Sequence, residues 1–229
     1  MKKALSVLAL TALLAALLAG CEKLPEPSPA PTPAPTVSAA PESTPEAAEK
    51  VFSRGRVEGQ VYESDFLSLR FTAPEGWIFA SDEELAQRMG LSLDIVGEDV
   101  FGDAAELARA IAGQAVLIDM AAAAPDSGAN VSLAIEDTEA TGSGALTEAD
   151  CASLLREQLL AITDLRYEPE EPETGFLAGR PCAVLLVHLP DYGMAQRFCL
   201  LREGKYMIQI ALTGAEGALP DADALFSAL

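Results

Sequence analysis

Basic residues are scarce in this sequence. Its 229 residues include 15 Lys and Arg against 35 Asp and Glu, which gives a formal net charge of −20. Nucleic-acid-binding surfaces need clustered basic side chains to neutralise phosphates, so this balance argues against a nucleic-acid partner. It also argues against a domain that lies flat on anionic lipid. The acidity by itself is typical of a soluble, self-repelling surface.

Cysteine and histidine are also scarce, which limits the metal and redox sites that the chain can form. The four cysteines show no C-x-x-C spacing, so neither a zinc site nor a thioredoxin-like motif is predicted. The only histidine, His188, ends an apolar run and is interpreted as structural. An acidic run lacks the ligand spacing of an EF-hand loop, and a solvated charge run is favoured over weak cation binding. Its members are Glu168, Glu170, Glu171 and Glu173.

Motifs for nucleophilic catalysis are missing too. The chain has no G-x-S-x-G nucleophile elbow, and Gly142-Ser143-Gly144 has the wrong spacing for one. A Ser, His and Asp triad would need a third group that a sequence cannot place in space. We therefore predict no catalytic residues, no cofactor and no metal, and a hydrolase is the least favoured function class.

An export signal stands at the amino end of the chain. Two lysines precede an apolar run over residues 4–19, and small residues follow it. The segment Leu18-Ala19-Gly20-Cys21 resembles the bacterial lipobox. That resemblance implies a diacylglyceryl group on Cys21 and cleavage between Gly20 and Cys21. Two acyl chains also meet the physical requirement for stable anchoring, because one chain holds a protein to a bilayer only marginally.

Two other interpretations of the same segment stay open. Residues 4–20 number seventeen, which is the short limit for a membrane-spanning helix, and a different signal peptidase could cut the chain. The lipoprotein interpretation predicts a chain anchored to the cell membrane and facing outside the cytoplasm. Loss of residues 1–20 removes two lysines and no acid, so the net charge moves from −20 to −22.

A linker is predicted over residues 21–51, with the lipidated cysteine at its start. Eight of the fifteen prolines fall between Pro25 and Pro45. Proline removes backbone donors and fixes φ, so this stretch favours extended polyproline II over a packed element. At about 3.1 Å per residue, it could hold a domain roughly 90 Å from a membrane. Residues 52–229 are then long enough for one domain with its own core.

Hydrophobic periodicity predicts the elements of that domain. Alternating or apolar runs indicate strands, capping boxes begin helices at Ser81 and Thr147, and a third helix is predicted from Asp103. Residues 220–229 are predicted as a final helix, and residues 168–173 as a loop. The predicted strands cover residues 57–62, 66–72, 77–79, 115–122, 131–136, 165–168, 182–189, 194–202 and 205–213.

The last three strands are apolar on both faces. Leu185, Phe198, Leu200 and Met207 share one face, and Val184, Cys199, Leu201 and Ile208 share the other. Such a sheet needs a layer above it and a layer below it. The order of elements favours an α+β fold, an α/β/α sandwich around a mainly antiparallel sheet.

The segment from Ser68 to Trp77 resembles the first strand of the Mog/PsbP-like superfamily, in which an alternating strand runs into a Pro-x-Gly-Trp turn. The resemblance could span residues 57–229. It implies an α/β/α sandwich that binds another molecule and has no shared catalytic residues. The function predicted from it is a non-enzymatic binding or assembly module for an unidentified envelope protein. A lipoprotein that binds a small ligand or a divalent metal is the alternative.

The remaining cysteines belong to the predicted domain. Cys182 and Cys199 fall on one face of neighbouring strands, so a cross-strand disulfide and two separate buried thiols are both open, with the thiols slightly favoured. Cys151 lies on the apolar face of the helix that Thr147 begins, and it is interpreted as core. Trp77 is interpreted as a core residue rather than an exposed contact.

Overall fold

The computed structural model describes residues 52–90 and 110–229. The predicted helix from Asp103 and the predicted signal and linker lie outside these residues, apart from a helical turn at 110–112. The strands are β1 Arg56–Glu58, β2 Val61–Ser64, β3 Leu69–Thr72, β4 Ile78–Phe79, β5 Val116–Ala123, β6 Asn130–Asp137, β7 Glu168–Pro169, β8 Glu173–Leu177, β9 Arg180–Leu189, β10 Met194–Glu203, β11 Tyr206–Ala215 and β12 Phe226–Ala228. The helices are α1 Asp82–Arg88, α2 Thr138–Thr141, α3 Glu148–Ala161 and α4 Ala222–Leu225.

An eight-stranded antiparallel sheet forms the centre of the molecule. Its strands run in the order β4-β5-β6-β11-β10-β9-β7, and β8 pairs with β9 beside β7. The long strands β9, β10 and β11 follow one another in the chain and are joined by short connections, as their sequence predicted. Among the described residues, no helix is long and apolar enough to cross a membrane.

Each face of the main sheet is covered by a different layer. Helix α3 lies against the face that carries Leu185 and Phe198. The opposite face carries Val184 and Cys199, and it packs against a second, four-stranded antiparallel sheet with the order β1-β2-β3-β12. The prediction of an α+β sandwich around a mainly antiparallel sheet is confirmed, as are the two residue sets assigned to its faces. The second face is covered by strands as well as by the helical turn with Ile111.

Both predicted capping boxes are present. Ser81 accepts from the backbone of Glu84 and begins α1, and Thr147 accepts from Asp150 and begins α3. In each pair the acidic side chain also accepts the N–H of the capping residue, so two donors are satisfied at each helix start. Cys151 and Trp77 are buried, with 4% and 7% of their surface exposed, and the interpretation of both as core residues is confirmed.

Several predicted elements are corrected at their ends, where short-range pattern and long-range pairing compete. Residues 57–62 form a hairpin of β1 and β2 rather than one strand, because Gly59 adopts a positive φ of 61°. The loop predicted at 168–173 instead contributes its ends to β7 and β8. The β10–β11 hairpin turns at Gly204 and Lys205, one residue later than predicted.

The largest correction concerns the carboxyl end of the chain. The helix predicted over residues 220–229 is a single turn, α4, followed by strand β12. Strand β12 pairs with β3 and places Phe226 opposite Phe71. The tertiary gain from burying Phe226 between the sheets outweighs a helix propensity that is only a weak local preference.

The β8–β9 hairpin carries a local strain that can be tested. Its two-residue turn holds Ala178 at φ 50° and Gly179 at φ 77°, where a type I′ turn favours Asn-Gly. We expect Ala178→Asn to raise the free energy of unfolding by about 1 kcal/mol, because alanine is disfavoured in this left-handed region. Gly179→Ala is the matched control and should lower it by about 1–2 kcal/mol. Urea unfolding of both variants measures the difference, and equal stabilities would contradict this turn geometry.

Candidate functional site

A cleft of about 350 Å³ lies where the chain first joins the main sheet. Arg54 and Gly55, just before β1, form one wall, and Asp82 at the start of α1 forms another. Asp119 of β5 lies at its base. The cleft therefore brings together three segments that are far apart in the sequence.

Asp119 is the centre of a buried hydrogen-bond cluster. Its Oδ2 accepts from the Tyr62 hydroxyl at 2.6 Å and from the Gly55 N–H at 2.9 Å. Its Oδ1 accepts from Arg54 Nε at 3.1 Å, while Arg54 Nη2 donates to Asp82 Oδ1 at 2.9 Å. The carboxylate side chain is fully buried. Such a group is stable in the interior only because several donors and a cation surround it.

The electrostatics of the cluster follow from this geometry. Burial alone would lower the pKa of Arg54, but the hydrogen bond to Asp82 and the negative charges of Asp82 and Asp119 raise it. Burial, together with the charge of Asp119, raises the pKa of Tyr62. The guanidinium stays charged and the phenol stays protonated, so both act as permanent donors to the carboxylate.

Local features of three segments place these groups. The register of β5 against β6 shifts between Ile118 and Met120, and this irregularity leaves Asp119 without a partner residue on β6. Glycine is required at position 55, since a Cβ there would lie 2.3 Å from the Tyr62 ring. The Ser81 cap fixes the first turn of α1 and thereby Asp82.

Sequence reasoning missed this cluster. One signal was available, because Asp119 is the only charged residue in the apolar run over 115–124. A charged residue in a buried strand requires partners, but no local pattern shows that they come from residues 54, 55 and 62. The missing information was therefore long-range pairing.

His188 lies on β9 between two carboxylates. Its Nε2 is 3.1 Å from Glu170 Oε1, and its Nδ1 is 3.2 Å from Glu216 Oε1. Glu168 lies opposite it in the register of β7. The hydrogen bond with Glu170, followed by the charge of Glu216, raises the pKa of His188 above its usual value. Because the carboxylates occupy opposite ring nitrogens, they do not converge on one point with the imidazole as metal ligands would.

This arrangement predicts a pH-dependent contribution to stability. The folded-state pKa of His188 is raised, so its contribution is fully present below the unfolded value of about 6.5. It is lost as the pH rises through the folded-state pKa of His188. We expect His188→Gln to lower the free energy of unfolding at pH 6 and to have a smaller effect at pH 9. Urea titrations at both values test this, and an equal loss at both would contradict it.

Ser143, the serine of the Gly142-Ser143-Gly144 segment, is hydrogen-bonded to a carboxylate and not to a histidine. Its hydroxyl donates to Glu136 Oε1 at 2.7 Å, and Thr141 donates to the same oxygen at 2.5 Å. Ser143 is 7% exposed and Glu136 is 5% exposed. The Ser143 hydroxyl therefore lies against the Glu136 carboxylate and, at 2.9 Å, the Thr141 hydroxyl, while His188 pairs with Glu170 and Glu216.

Cys182 and Cys199 are free, buried thiols in the structure. Cys199 lies opposite Val184, so Cys182 is its diagonal neighbour on the same face. Diagonal residues have Cα atoms about 7–8 Å apart, beyond the usual reach of a disulfide. Contact with the Cys182 thiol, together with burial, raises the pKa of Cys199, which keeps that thiol protonated.

The state of these cysteines can be counted directly. A chain that begins after Cys21, denatured without reductant, is expected to react with three equivalents of a thiol reagent, one each for Cys151, Cys182 and Cys199. The same protein treated with reductant first is the control. One equivalent before reduction and three after it would show that the cross-strand disulfide forms instead.

The other predicted site residues fall in two groups. Cys21 and Gly20 lie outside the described residues, so the anchor stays a prediction. The acidic residues lie along β7 and β8 and the connection between them, where Glu168 and Glu171 form ion pairs with Arg166 and Arg156. Within the described segments no group of three His, Cys, Asp or Glu side chains is arranged to hold a metal ion.

Of three comparisons with known proteins, only the comparison of structures finds a match. No family model matches the chain, and no curated protein matches it. A similar solved structure is the solution structure of cyanobacterial PsbP (CyanoP) from Synechocystis sp. PCC 6803, with 11% sequence identity and a TM-score of 0.44. The similarity covers 80% of this chain and 98% of that one. This neighbour is a PsbP protein, and the likeness carries no function to this chain.

Proposed function

We propose that this chain is a membrane-tethered lipoprotein whose domain is a non-enzymatic binding or assembly module for an envelope protein. The single observation that carries the proposal is the position of the Asp119 cluster. It attaches Arg54 and Gly55 to the main sheet within a few residues of the end of the predicted linker at 51. Such an attachment stabilises a domain that is tethered at one end, because a buried hydrogen-bond network resists local fraying of the terminus.

The engagement of the chain's reactive groups supports a binding role over catalysis. The Ser143 hydroxyl is bound by Glu136, and both ring nitrogens of His188 lie next to carboxylates. The thiols at 151, 182 and 199 are buried. A nucleophile and its base must lie within hydrogen-bond reach of each other, whereas Ser143 and His188 are bonded to other residues and the three thiols are buried.

A second candidate function rests on the cleft at the Asp119 cluster. The Asp82 side chain is 38% exposed there while it shares Arg54 with the buried Asp119. A small cationic ligand could therefore meet a carboxylate at the mouth of the cleft. Thermal-shift screening with small amines and divalent cations tests this candidate, since binding in the cleft would raise the melting temperature and Asp82→Asn would abolish that rise.

The main proposal is tested by locating and crosslinking the anchored protein in cells. We expect the protein to fractionate with membranes and to crosslink reproducibly to one envelope protein in near-stoichiometric amount. Cys21→Ser removes the acyl-bearing thiol, and it should release the protein from membranes and abolish the crosslink. Two acyl chains give stable anchoring, so the expected change in fractionation is nearly complete.

The two parts of this proposal, the lipid anchor and the assembly role, can each be contradicted by a different result. Membrane fractionation that is unchanged in Cys21→Ser would overturn the lipid anchor. Correct fractionation without any reproducible crosslinked protein would overturn the assembly role and leave the anchor standing.

A further inference from the structure

Strand β8 lies at an edge of the main sheet and carries an exposed aromatic residue, Phe176, near its carboxyl end. Phe176 is 64% exposed, and Thr174 and Glu173 are also exposed. Among the described strands, β8 pairs with β9 alone. An edge strand presents unpaired backbone groups that can pair with another extended chain.

The direction of those backbone groups follows from Pro181. Phe176 lies opposite Pro181 in the register, and proline has no N–H to donate. The pair is therefore a non-hydrogen-bonded one, and the N–H and C=O of Phe176 point away from β9. Thr174 is two residues away and has the same orientation. Two donors and two acceptors thus face the open side of β8.

The other edge strands in the described part of the chain are shorter or better protected. Strands β4 and β7 have two residues each, and β7 contains Pro169. Strands β1 and β12 have three residues each, and β1 carries Arg56 and Glu58. Short strands, charges and proline are the usual means by which proteins block edges. Strand β8 has five residues without proline or a basic residue, so it is the edge best suited to pairing.

The charges around β8 indicate the chemistry of a partner. Glu173 and Gly175 face the side of the sheet that carries Cys182 and Val184, and Thr174 and Phe176 face the other side. Asp223 accepts from the Ala178 N–H at the end of β8. One side of the edge is therefore acidic and the other carries an exposed aromatic ring.

We propose that β8 binds an extended strand of a partner protein in which basic and apolar residues alternate. Its backbone pairs with Thr174 and Phe176, its apolar side chains lie on the side of Phe176, and its basic side chains lie on the side of Glu173. A second copy of this chain is disfavoured as the partner. It also carries a net charge of −20, so the two copies would repel each other at this edge. This inference rests on the proposed binding function and names the surface that performs it.

The pairing is tested with a defined peptide. The probe is an eight-residue peptide of alternating lysine and valine, titrated into the ¹⁵N-labelled full chain carrying Cys21→Ser, and a glutamate–valine peptide is the control. We expect the amide signals of Thr174 and Phe176 to shift and their hydrogen exchange to slow. Thr174→Pro removes an outward N–H and should weaken binding by about tenfold, the effect of one lost hydrogen bond.

Two further variants keep this test decisive. Phe176→Ser retains the backbone and should also weaken binding. Ile78→Ser alters a side chain that is equally exposed, at 64%, on the edge strand β4, and it should leave binding unchanged. Signal changes spread over the acidic surface, unchanged affinity in Thr174→Pro and Phe176→Ser, or no binding would each overturn the inference.

A photo-crosslinking residue placed at 176 or 78 of the anchored chain separates the two proposals in cells. A crosslink from 176 to a segment of alternating basic and apolar residues supports the inference. A partner reached from 78 and not from 176 would overturn the inference and retain the proposed function. No partner from either position would overturn the inference, and the proposed function would then be decided by crosslinking of the whole anchored protein.

Discussion

Asp119→Asn is expected to lower the free energy of unfolding by about 3–5 kcal/mol, the usual cost of removing one partner of a buried ion pair. The substitution keeps the shape of the side chain and removes its charge. Arg54 then loses its buried counter-ion, and the hydroxyl of Tyr62 and the N–H of Gly55 face an amide that cannot accept from all of them. Urea unfolding at pH 7 measures the loss.

Asp82→Asn is the matched control for that measurement. Asp82 binds the same guanidinium at 2.9 Å but is 38% exposed, whereas the Asp119 side chain is fully buried. Exposed ion pairs contribute about 0–1 kcal/mol, because water solvates the released charge. Similar losses in the two variants would mean that the Asp119 cluster adds no more to the free energy of unfolding than a surface ion pair does.

Phe226→Ala is expected to cost about 3–5 kcal/mol, as truncation of a buried phenylalanine usually does. Phe226 is 2% exposed, and its ring centroid lies 5.0 Å from that of Phe71. Both rings belong to the core between the small sheet and the main sheet. The substitution removes this contact and leaves a cavity that strands on both sides can only partly close. Denaturant unfolding gives the magnitude.

Phe176→Ala supplies the comparison, since it truncates the same residue type on another edge strand. Phe176 is 64% exposed, so its loss should change stability by less than about 0.5 kcal/mol. If the two variants were equally stable, strand β12 would not be part of the core, and a frayed carboxyl-terminal helix would be the better description.

The central strands were predictable because their pattern is local and redundant. Leu185 and Phe198 were assigned to one face and Val184 and Cys199 to the other, and the structure separates them in this way. Alternation with a period of two places side chains on a face without any knowledge of the partner strand. The capping boxes were predictable for the same reason, since both partners lie within four residues.

The carboxyl end of the chain was predicted wrongly for the opposite reason. Residues 220–229 contain several alanines and a proline at the start, which locally favour a helix. Their conformation is decided by a pairing with β3, about 155 residues earlier, which buries Phe226. The β1–β2 hairpin is a smaller case in which the folded structure overrides a local pattern. Gly59 permits a turn inside a run that alternates like one strand.

Composition and short-range pattern were enough to identify the acidic character, the two-faced central strands and the helix starts, because each depends on residues that are close together in the chain. The lipid anchor rests on the same kind of pattern and stays a prediction. Three features depend on tertiary contacts: which segments cover the second face of the main sheet, which groups bind Asp119, and which of the described edge strands is exposed. Arg54, Tyr62 and Asp119 are up to 65 residues apart in the chain. Contacts over such distances depend on loop closure and on the packing of whole layers, and no short pattern records them.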